Sequence, residues 1–349
     1  MKTSPEMMPR RFALGKPPME VLERLFKQCR IRDPRVIVGP RVGEDAAVVD
    51  LGDRYLVAKV DPITFVAEEI GWYAVHINAN DLAVRGAEPA WFLMTLLLPE
   101  WQANEEMLAT IFDQVEAACA TVGATLVGGH TEVTQGLDRP IVAGTMLGEV
   151  ERDRLVTTAG ARVGDAVLLS KGIAIEGTSI LARAFGERLG ARGINPGMRE
   201  RARDILHHPG ISVLPEARAA VTAASIHSMH DPTEGGLATG LHELALAAGV
   251  GLRIERDAIR VFPECSTFCL SLGLDPLGLI ASGALLLTCD AEAADDVLAA
   301  WRAQGIDGAV IGEVMPAEAG CLLLGRSGEE PLPRFSRDEV ARLFDTRSA

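Results

Sequence analysis

The sequence has no excess of basic charge: 34 lysines and arginines face 48 aspartates and glutamates, a formal charge of −14 over 349 residues. A nucleic-acid partner or an anionic membrane surface requires a basic footprint, so neither is expected. A phosphorylated ligand stays open, because metal ions in one local site can hold it against the global field. Six cysteines include no CxxC pair. Cys265 and Cys269, four apart, share a face if helical and have no further ligands nearby, so they are expected to be packed thiols. The longest apolar stretch, "AWFLMTLLLP", is too short to span a bilayer. The opening "MKTSPEMMPRRFALGKPP" lacks a core of signal-peptide length, so a cytoplasmic protein is expected. No GxxxxGK[ST], GxSxG or HExxH occurs, and "GLATG" falls inside a helical pattern instead of a strand-to-helix turn.

What is present alternates between strand-like and helix-like segments. Residues 18–30 place Val21, Leu22, Leu25 and Phe26 on one helical face after a Pro-Pro start. Short strands separated by Gly, Pro and Asp turns follow up to "DPITF". Helical stretches are expected around "EEIGWYAVHINANDLAVRGA" and over 104–122, and strands at "PAWFLMTLLLP", "ATLVGGHTEV" and "PIVAGTMLGEV". From Arg154 the pattern restarts with the strand "AVLLSKG", the helix "EGTSILARAFGERLG" and a Pro- and Gly-bearing connector over 195–210. "SIHSMHDPTEGGLATGLHELALAAG" then gives strand, turn and helix. The expectation is two α+β domains packed firmly together: a helical extension over 1–38, an N-terminal domain over 39–152 and a C-terminal domain over 153–349.

Acidic residues recur where strands end and helices begin. They are Glu44 and Asp45 in "VGEDAAVV", Asp61 closing "YLVAKVD", Asp81 beside Asn80 in "INANDLAV", Glu132 in "LVGGHTEV", Glu176 in "IAIEGTS", and Asp231 and Glu234 in "MHDPTEGGL". Ordinary readings exist: Asp45 as a turn residue, Asp61-Pro62 as a turn initiator, Asp231 or Thr233 as a helix cap. Asp81 resists them, because Ile77, Leu82 and Val84 mark a buried stretch, and a buried aspartate needs a partner or a cation. Several carboxylates at such junctions suggest Mg²⁺ bridging to phosphates, since hard cations take oxygen ligands. The glycines of "VGPRVGEDAA", "VGGHTE" and "TEGGLATG" would let backbone amides cradle an anion. Lys59 and Lys171 sit at strand ends; Lys171 is either a phosphate-facing cation or an exposed strand-end lysine. His76 and Asn80 share a helix face, as a site pair or as a surface pair.

Taken in order, "GEDAAVVD", "VDP", "NANDLAVRGAEP", "GGHTEV", "KGIAIEGTSIL" and "MHDPTEGGLATGLHELA" resemble the AIR synthase superfamily, from about Gly39 to about Gly325. That superfamily includes aminoimidazole ribonucleotide synthase, thiamine-monophosphate kinase, selenophosphate synthetase and the maturation factor HypE. "DPRVIVGPRVGEDAAVVDLGD" and "LGLDPLGLIASGALLL" look most like the HypE and stand-alone AIR synthase-related branch. The resemblance implies an α+β, PurM-like two-domain fold, with an N-terminal α/β domain that pairs in a homodimer as a β-barrel and a C-terminal α+β domain beside it. It implies ATP and Mg²⁺ in the cleft between domains and an acceptor that is a small molecule or protein-bound. Asp45, Asp61, Asp81 and Asp231 are then the metal carboxylates. Asp81, Lys171, Asp231 and Glu234 are the catalytic groups. Gly43, Glu44, Asp45, Lys59, Asn80, Gly128, Gly129, His130, Thr131, Glu132 and Glu176 are the nucleotide contacts.

Such chemistry activates an oxygen as a phosphate ester or transfers phosphate outright, which asks for charge neutralisation and positioning more than for a nucleophile. Two departures stand out. The chain ends "RLFDTRSA" without the Pro-Arg-Ile-Cys tail of HypE, so the thiocyanate chemistry is not carried over. His130 stands where HypE and thiamine-monophosphate kinase have an aspartate and selenophosphate synthetase has a histidine. A histidine is a poor Mg²⁺ ligand, so His130 is expected to bond a phosphate or the acceptor. A thiamine-monophosphate-kinase-like enzyme and an ATP-binding scaffold in metallocentre maturation are the alternatives.

Overall fold

The structure, a computed structural model, describes residues 12, 14–17 and 19–345. The expected first helix forms as α1 (Met19–Phe26), but none of its residues is buried. Two short strands follow, β1 (Val36–Val38) and β2 (Ala47–Asp50), and a longer one, β3 (Arg54–Ile63), then α2 (Ile70–Ala83), β4 (Glu88–Pro99), α3 (Glu105–Val122), β5 (Thr125–Thr134) and β6 (Ile141–Glu151). The six strands form one sheet in the order β1-β2-β3-β6-β4-β5, antiparallel except for the β4–β5 pair. Residues 36–38 thus belong to the sheet and not to the extension that precedes it. α3 is bounded as its sequence suggests: Asn104 accepts the Met107 N–H at 2.8 Å, and Gly123 ends the helix in the left-handed conformation.

The second half contains β7 (Asp165–Ser170), α4 (Ile175–Ala184), α5 (Gly186–Ala191), α6 (Pro196–Asp204), α7 (Leu214–Ala223), β8 (Ile226–His230), α8 (Gly236–Ala248) and β9 (Gly251–Glu255). It continues with α9 (Pro263–Leu272), β10 (Leu286–Asp290), α10 (Ala294–Ala303), β11 (Gly308–Met315), β12 (Cys321–Gly325), β13 (Gly328–Pro331) and α11 (Glu339–Asp345). Its sheet has seven strands in the order β13-β12-β9-β11-β7-β10-β8. The sheet packs α8 on a core of Val167, Leu169, Leu237, Leu241, Leu244 and Ile254. The molecule is thus mixed α+β with two sheets, and no described helix is long and apolar enough to cross a membrane.

Two local expectations fail. The connector over 195–210 is largely helical, because Asn195 caps α6 through the Met198 N–H at 2.8 Å and Pro196 occupies its first turn. "EGTSILARAFGERLG" is not one helix but two, divided at Phe185. Cys265 and Cys269 do share a face of α9, buried as free thiols with their sulfurs 4.0 Å apart.

Candidate functional site

The site is organised by α2. Thirteen of its fourteen residues are buried, so it is a core helix with no solvent face, and any polar group on it must be satisfied from within. Three of its polar residues face different neighbours. Asn78 clamps the backbone of Asp61 on β3, accepting its N–H at 2.8 Å and donating to its carbonyl at 3.2 Å. Asp81 accepts from Lys59 Nζ at 3.0 Å, and the same ammonium lies 3.5 Å from Asp61. Asn80 turns toward the C-terminal half: its Nδ2 donates to the Ile211 carbonyl and its Oδ1 accepts the Val213 N–H, both at 2.9 Å.

Not every carboxylate oxygen here finds a protein partner. Asp81 Oδ2 and both carboxyl oxygens of the buried Asp231, just after β8, have none. Burial pushes the Asp81 carboxyl up to about 7, with Lys59 opposing and Asp61 and Asp45 adding to the rise. Burial likewise pushes Asp231 well above the usual carboxylate range, reinforced by the charges of Asp81 and Asp45. Buried carboxyls in this state take a proton or a cation.

A second group of charges adjoins the first and is better matched in charge, although Glu44 Oε2 and Arg85 Nε make no hydrogen bond in it. Arg85, fully buried beyond the end of α2, lies 2.7 Å from Glu44 and donates to Asp45 and to Thr158 Oγ1, both at 2.8 Å. His230, the last residue of β8, bridges Asp45 at 2.9 Å and Glu243 of α8 at 3.1 Å, so both ring nitrogens meet carboxylates. Burial disfavours its charge, yet Asp45 and Glu243 outweigh burial and push His230 up to about 10. Asp45 is held below the usual range by His230 and Arg85 against its own desolvation. Asp45, His230 and Asp231 bring one ligand atom each within 4.8 Å of one another. A doubly donating imidazolium cannot ligate, so of that trio only Asp231, whose oxygens have no partner, is open to a cation.

Beside these groups a cleft open to solvent is lined by Asp61, Phe65, Ile77, Glu176, Thr233, Glu234 and Ser282. Glu176, in the first turn of α4, is buried, and desolvation pushes it up to about 8.

Several expected site residues lie elsewhere. Lys171 is neither phosphate-facing nor exposed. It is buried 2.7 Å from Glu216 on α7 and donates to the Gly210 and Ser212 carbonyls at 3.1 and 2.6 Å, which occupies its ammonium. Asn80 is a buried staple to the loop over 211–213, with both amide atoms engaged there. His76 is not its partner; it is buried against Thr121 at 3.3 Å. Gly43 approaches α8: a Cβ there would stand 2.9 Å from the Glu243 carbonyl oxygen, so close packing and not a phosphate requires the glycine. Neither Asp231 nor Thr233 caps α8; the Gly235 N–H is taken by Asp338 at 2.7 Å.

The stretch Gly128, Gly129, His130, Thr131 and Glu132 is the exposed edge strand β5 and not a loop over the site. Asp61, Gly144, Met94 and Gly129 lie in one register line, so β5 is three strand spacings from Asp61, roughly 14 Å. His130 pairs with Thr95, one residue out of that line, and so projects from the opposite face of the sheet to Lys59 and Asp61. It is exposed, 3.3 Å from Glu132 on the same face. Within one subunit these residues cannot join the carboxylates.

Arg85, Glu243 and Asn78 escaped the sequence reading. Arg85 carried one signal, an arginine at the end of the same apolar stretch as Asp81. Asn78 and Glu243 showed only as ordinary helix residues. A further group, Asp165, His227 and Asp290, has its open nitrogen filled: Arg162 Nη1 lies 3.0 Å from His227 Nε2.

Known proteins share this arrangement of domains. Residues 43–150 match the N-terminal domain model of AIR synthase related proteins, and residues 162–321 match the C-terminal one. The chain is 34% identical over 263 residues to carbamoyl dehydratase HypE of Azotobacter vinelandii, across 74% of this chain and 73% of that protein. Its fold superposes on Escherichia coli HypE, a hydrogenase maturation protein, with a TM-score of 0.72 at 26% identity, covering 93% of this chain and 98% of that one. It superposes on a HypE in complex with ATP with a TM-score of 0.67 at 25% identity, covering 92% and 94%.

Proposed function

This chain belongs to the AIR synthase related family, and we propose that it binds ATP with Mg²⁺ beside Asp61, Asp81 and Asp231 to activate or phosphorylate an oxygen of an acceptor. The observation that carries this reading is the set of buried carboxyl oxygens on Asp81 and Asp231 that no protein group satisfies. A buried carboxylate without a partner suits a hard cation, so Asp81 and Asp231, with Asp61 beside them, are the residues that would hold Mg²⁺, whereas Asp45 is engaged by Arg85 and His230. When bound, the metal supplies charge neutralisation at the phosphates.

The chain's own residues do the positioning. Asn78 fixes the Asp61 backbone, Lys59 holds the Asp61 and Asp81 carboxylates together, and His230 and Arg85 fix Asp45. Glu176, with its raised pKa, enters the cleft as a protonated carboxyl able to donate a hydrogen bond. One relative supports the nucleotide: the HypE in complex with ATP. The acceptor oxygen is assigned only as that of a small molecule or of a protein-bound group.

We also place β5 in a homodimer. Val60 and Trp91 are exposed on the outer face of the first sheet, the face that also carries His130 and Glu132. A second copy packed there would cover this face and bring the GGHTE stretch to a neighbouring site.

Calorimetric titration of the whole protein with ATP, with Mg²⁺ and with a chelator, tests the assignment. Binding that needs Mg²⁺ and is lost in Asp81→Asn supports it; equal binding with and without the metal overturns it. Phosphate release on addition of candidate acceptors then separates a catalyst from a scaffold, which would bind without turnover.

A further inference from the structure

The cleft has one more wall, supplied by the segment before α1. The Lys16 main-chain N–H donates to Glu234 Oε2 at 2.9 Å, and Lys16 Nζ donates to Thr233 Oγ1 at 3.3 Å. Lys16 thereby lines the same cleft as Asp61, Glu176 and Ser282, although it stands 218 positions from Glu234 in the chain. Two other lysines of the expected site are both committed: Lys171 to Glu216 and two carbonyls, Lys59 to Asp81 and Asp61. Among the described residues the Lys16 ammonium donates to the Thr233 hydroxyl and closes no ion pair, while the charges of Glu243, Asp61 and Glu234 lie near enough to hold it protonated. On the facing wall, Glu176 and Ser282 are buried side by side, so the cleft is lined by polar groups.

We propose that Lys16 is a phosphate-binding residue of this cleft, carried on a strap of residues 14–16 that Glu234 anchors. The inference rests on the nucleotide reading of the site and deepens it. It moves the free-cation role from Lys171 to Lys16. It also gives Glu234 a reason to stand at the edge of a polyanion site: its carboxylate oxygen is turned to the strap's backbone N–H, away from catalysis. An ammonium contacting a terminal phosphate favours polyphosphates over the nucleoside alone.

The test compares three probes on the full chain by calorimetry: Mg-ATP, inorganic tripolyphosphate and adenosine. Lys16→Met is expected to weaken Mg-ATP and tripolyphosphate about tenfold while leaving adenosine within about twofold. Lys16→Arg should restore most of the loss, because it returns the charge. Lys16 lines the cleft rim and belongs to no hydrophobic core, so the variant should fold, which circular dichroism checks. Unchanged Mg-ATP affinity in Lys16→Met overturns the proposal, as does an equal loss for adenosine, which would mark a purely structural strap. Wild-type protein that binds tripolyphosphate but not ATP breaks the nucleotide reading while sustaining the strap. Wild-type protein that binds Mg-ATP with no contribution from Lys16 breaks the strap alone.

Discussion

The buried charges divide into two adjoining groups that look alike in sequence and differ in how they are neutralised. In one, Glu44, Asp45 and Glu243 surround the two cations Arg85 and His230, and Asp45 is engaged by both. In the other, Asp61 and Asp81 share the single cation Lys59, and Asp231 has no partner at all. The first group is a structural network that joins the two halves of the molecule, since Asp45 precedes the first sheet's β2 and His230 ends β8. The second is short of positive charge and left with unpaired oxygens, so it is where a metal ion can be accommodated. Acidity alone does not mark a cation site; acidity unmatched by nearby donors does.

The largest effect should come from breaking the matched group. Arg85→Met leaves Glu44 and Asp45 buried without their guanidinium and should destabilise the protein by about 3–5 kcal/mol. The urea midpoint measures this directly. A loss under about 1 kcal/mol would mean that Arg85 is not what neutralises the group, and the contrast would fail.

Glu176 sharpens the open side through pH. Burial raises its folded-state pKa to about 8, well above that of an ordinary glutamate, so the folded protein keeps a proton that the unfolded chain releases. The stability this group contributes is therefore complete below the unfolded value and is lost as pH rises toward 8. Glu176→Gln never ionises and should gain on the wild type as pH is raised from 5 to 8, by on the order of 2 kcal/mol. Parallel stability curves for the two proteins over that range would refute a buried, proton-holding Glu176.

Asp81→Asn should separate the groups most sharply for its size. On the open side it removes an incompletely paired charge, so stability should stay within about 1 kcal/mol or rise, while Mg²⁺-dependent nucleotide binding falls at least about tenfold. The analogous Asp45→Asn strips a partner from both Arg85 and His230 and should cost stability first. If the two variants behave alike in unfolding, the division into matched and open groups is wrong.

Much of this was legible in the sequence, but unevenly. The apolar neighbours Ile77, Leu82 and Val84 disclosed that Asp81 is buried, because a helix periodicity survives in a local window. The two-domain arrangement and the strand at "ATLVGGHTEV" followed from alternation and turn residues. What failed depended on partners distant in the chain. Lys171 could not be told from an exposed lysine, because its neutralising Glu216 lies on α7, which carried no assigned pattern. Arg85 finds Glu44 and Asp45 forty residues upstream, across a sheet whose strand order local periodicity does not encode. The face of β5 was hidden for the same reason: alternation says that His130 and Glu132 point one way, and only the register across β3, β6 and β4 says which way that is. At 195–210, proline and glycine were read as breakers when Asn195-Pro196 is a helix start.

The smallest stability effect concerns that strand, and it carries the comparison beyond one subunit. His130 is about two-thirds exposed and touches only Glu132, itself exposed, so His130→Ala should change the unfolding free energy by less than about 0.5 kcal/mol. Within a single subunit it should also leave Mg-ATP binding unchanged, since it projects from the face opposite Asp61. A homodimer that pairs the outer faces predicts the contrary: a several-fold loss of Mg-ATP affinity with no loss of stability, together with a dimer mass in solution. A dimer whose His130→Ala variant binds Mg-ATP as the wild type does would leave β5 as an interface only. The nucleotide site would then be built from the carboxylates of one chain.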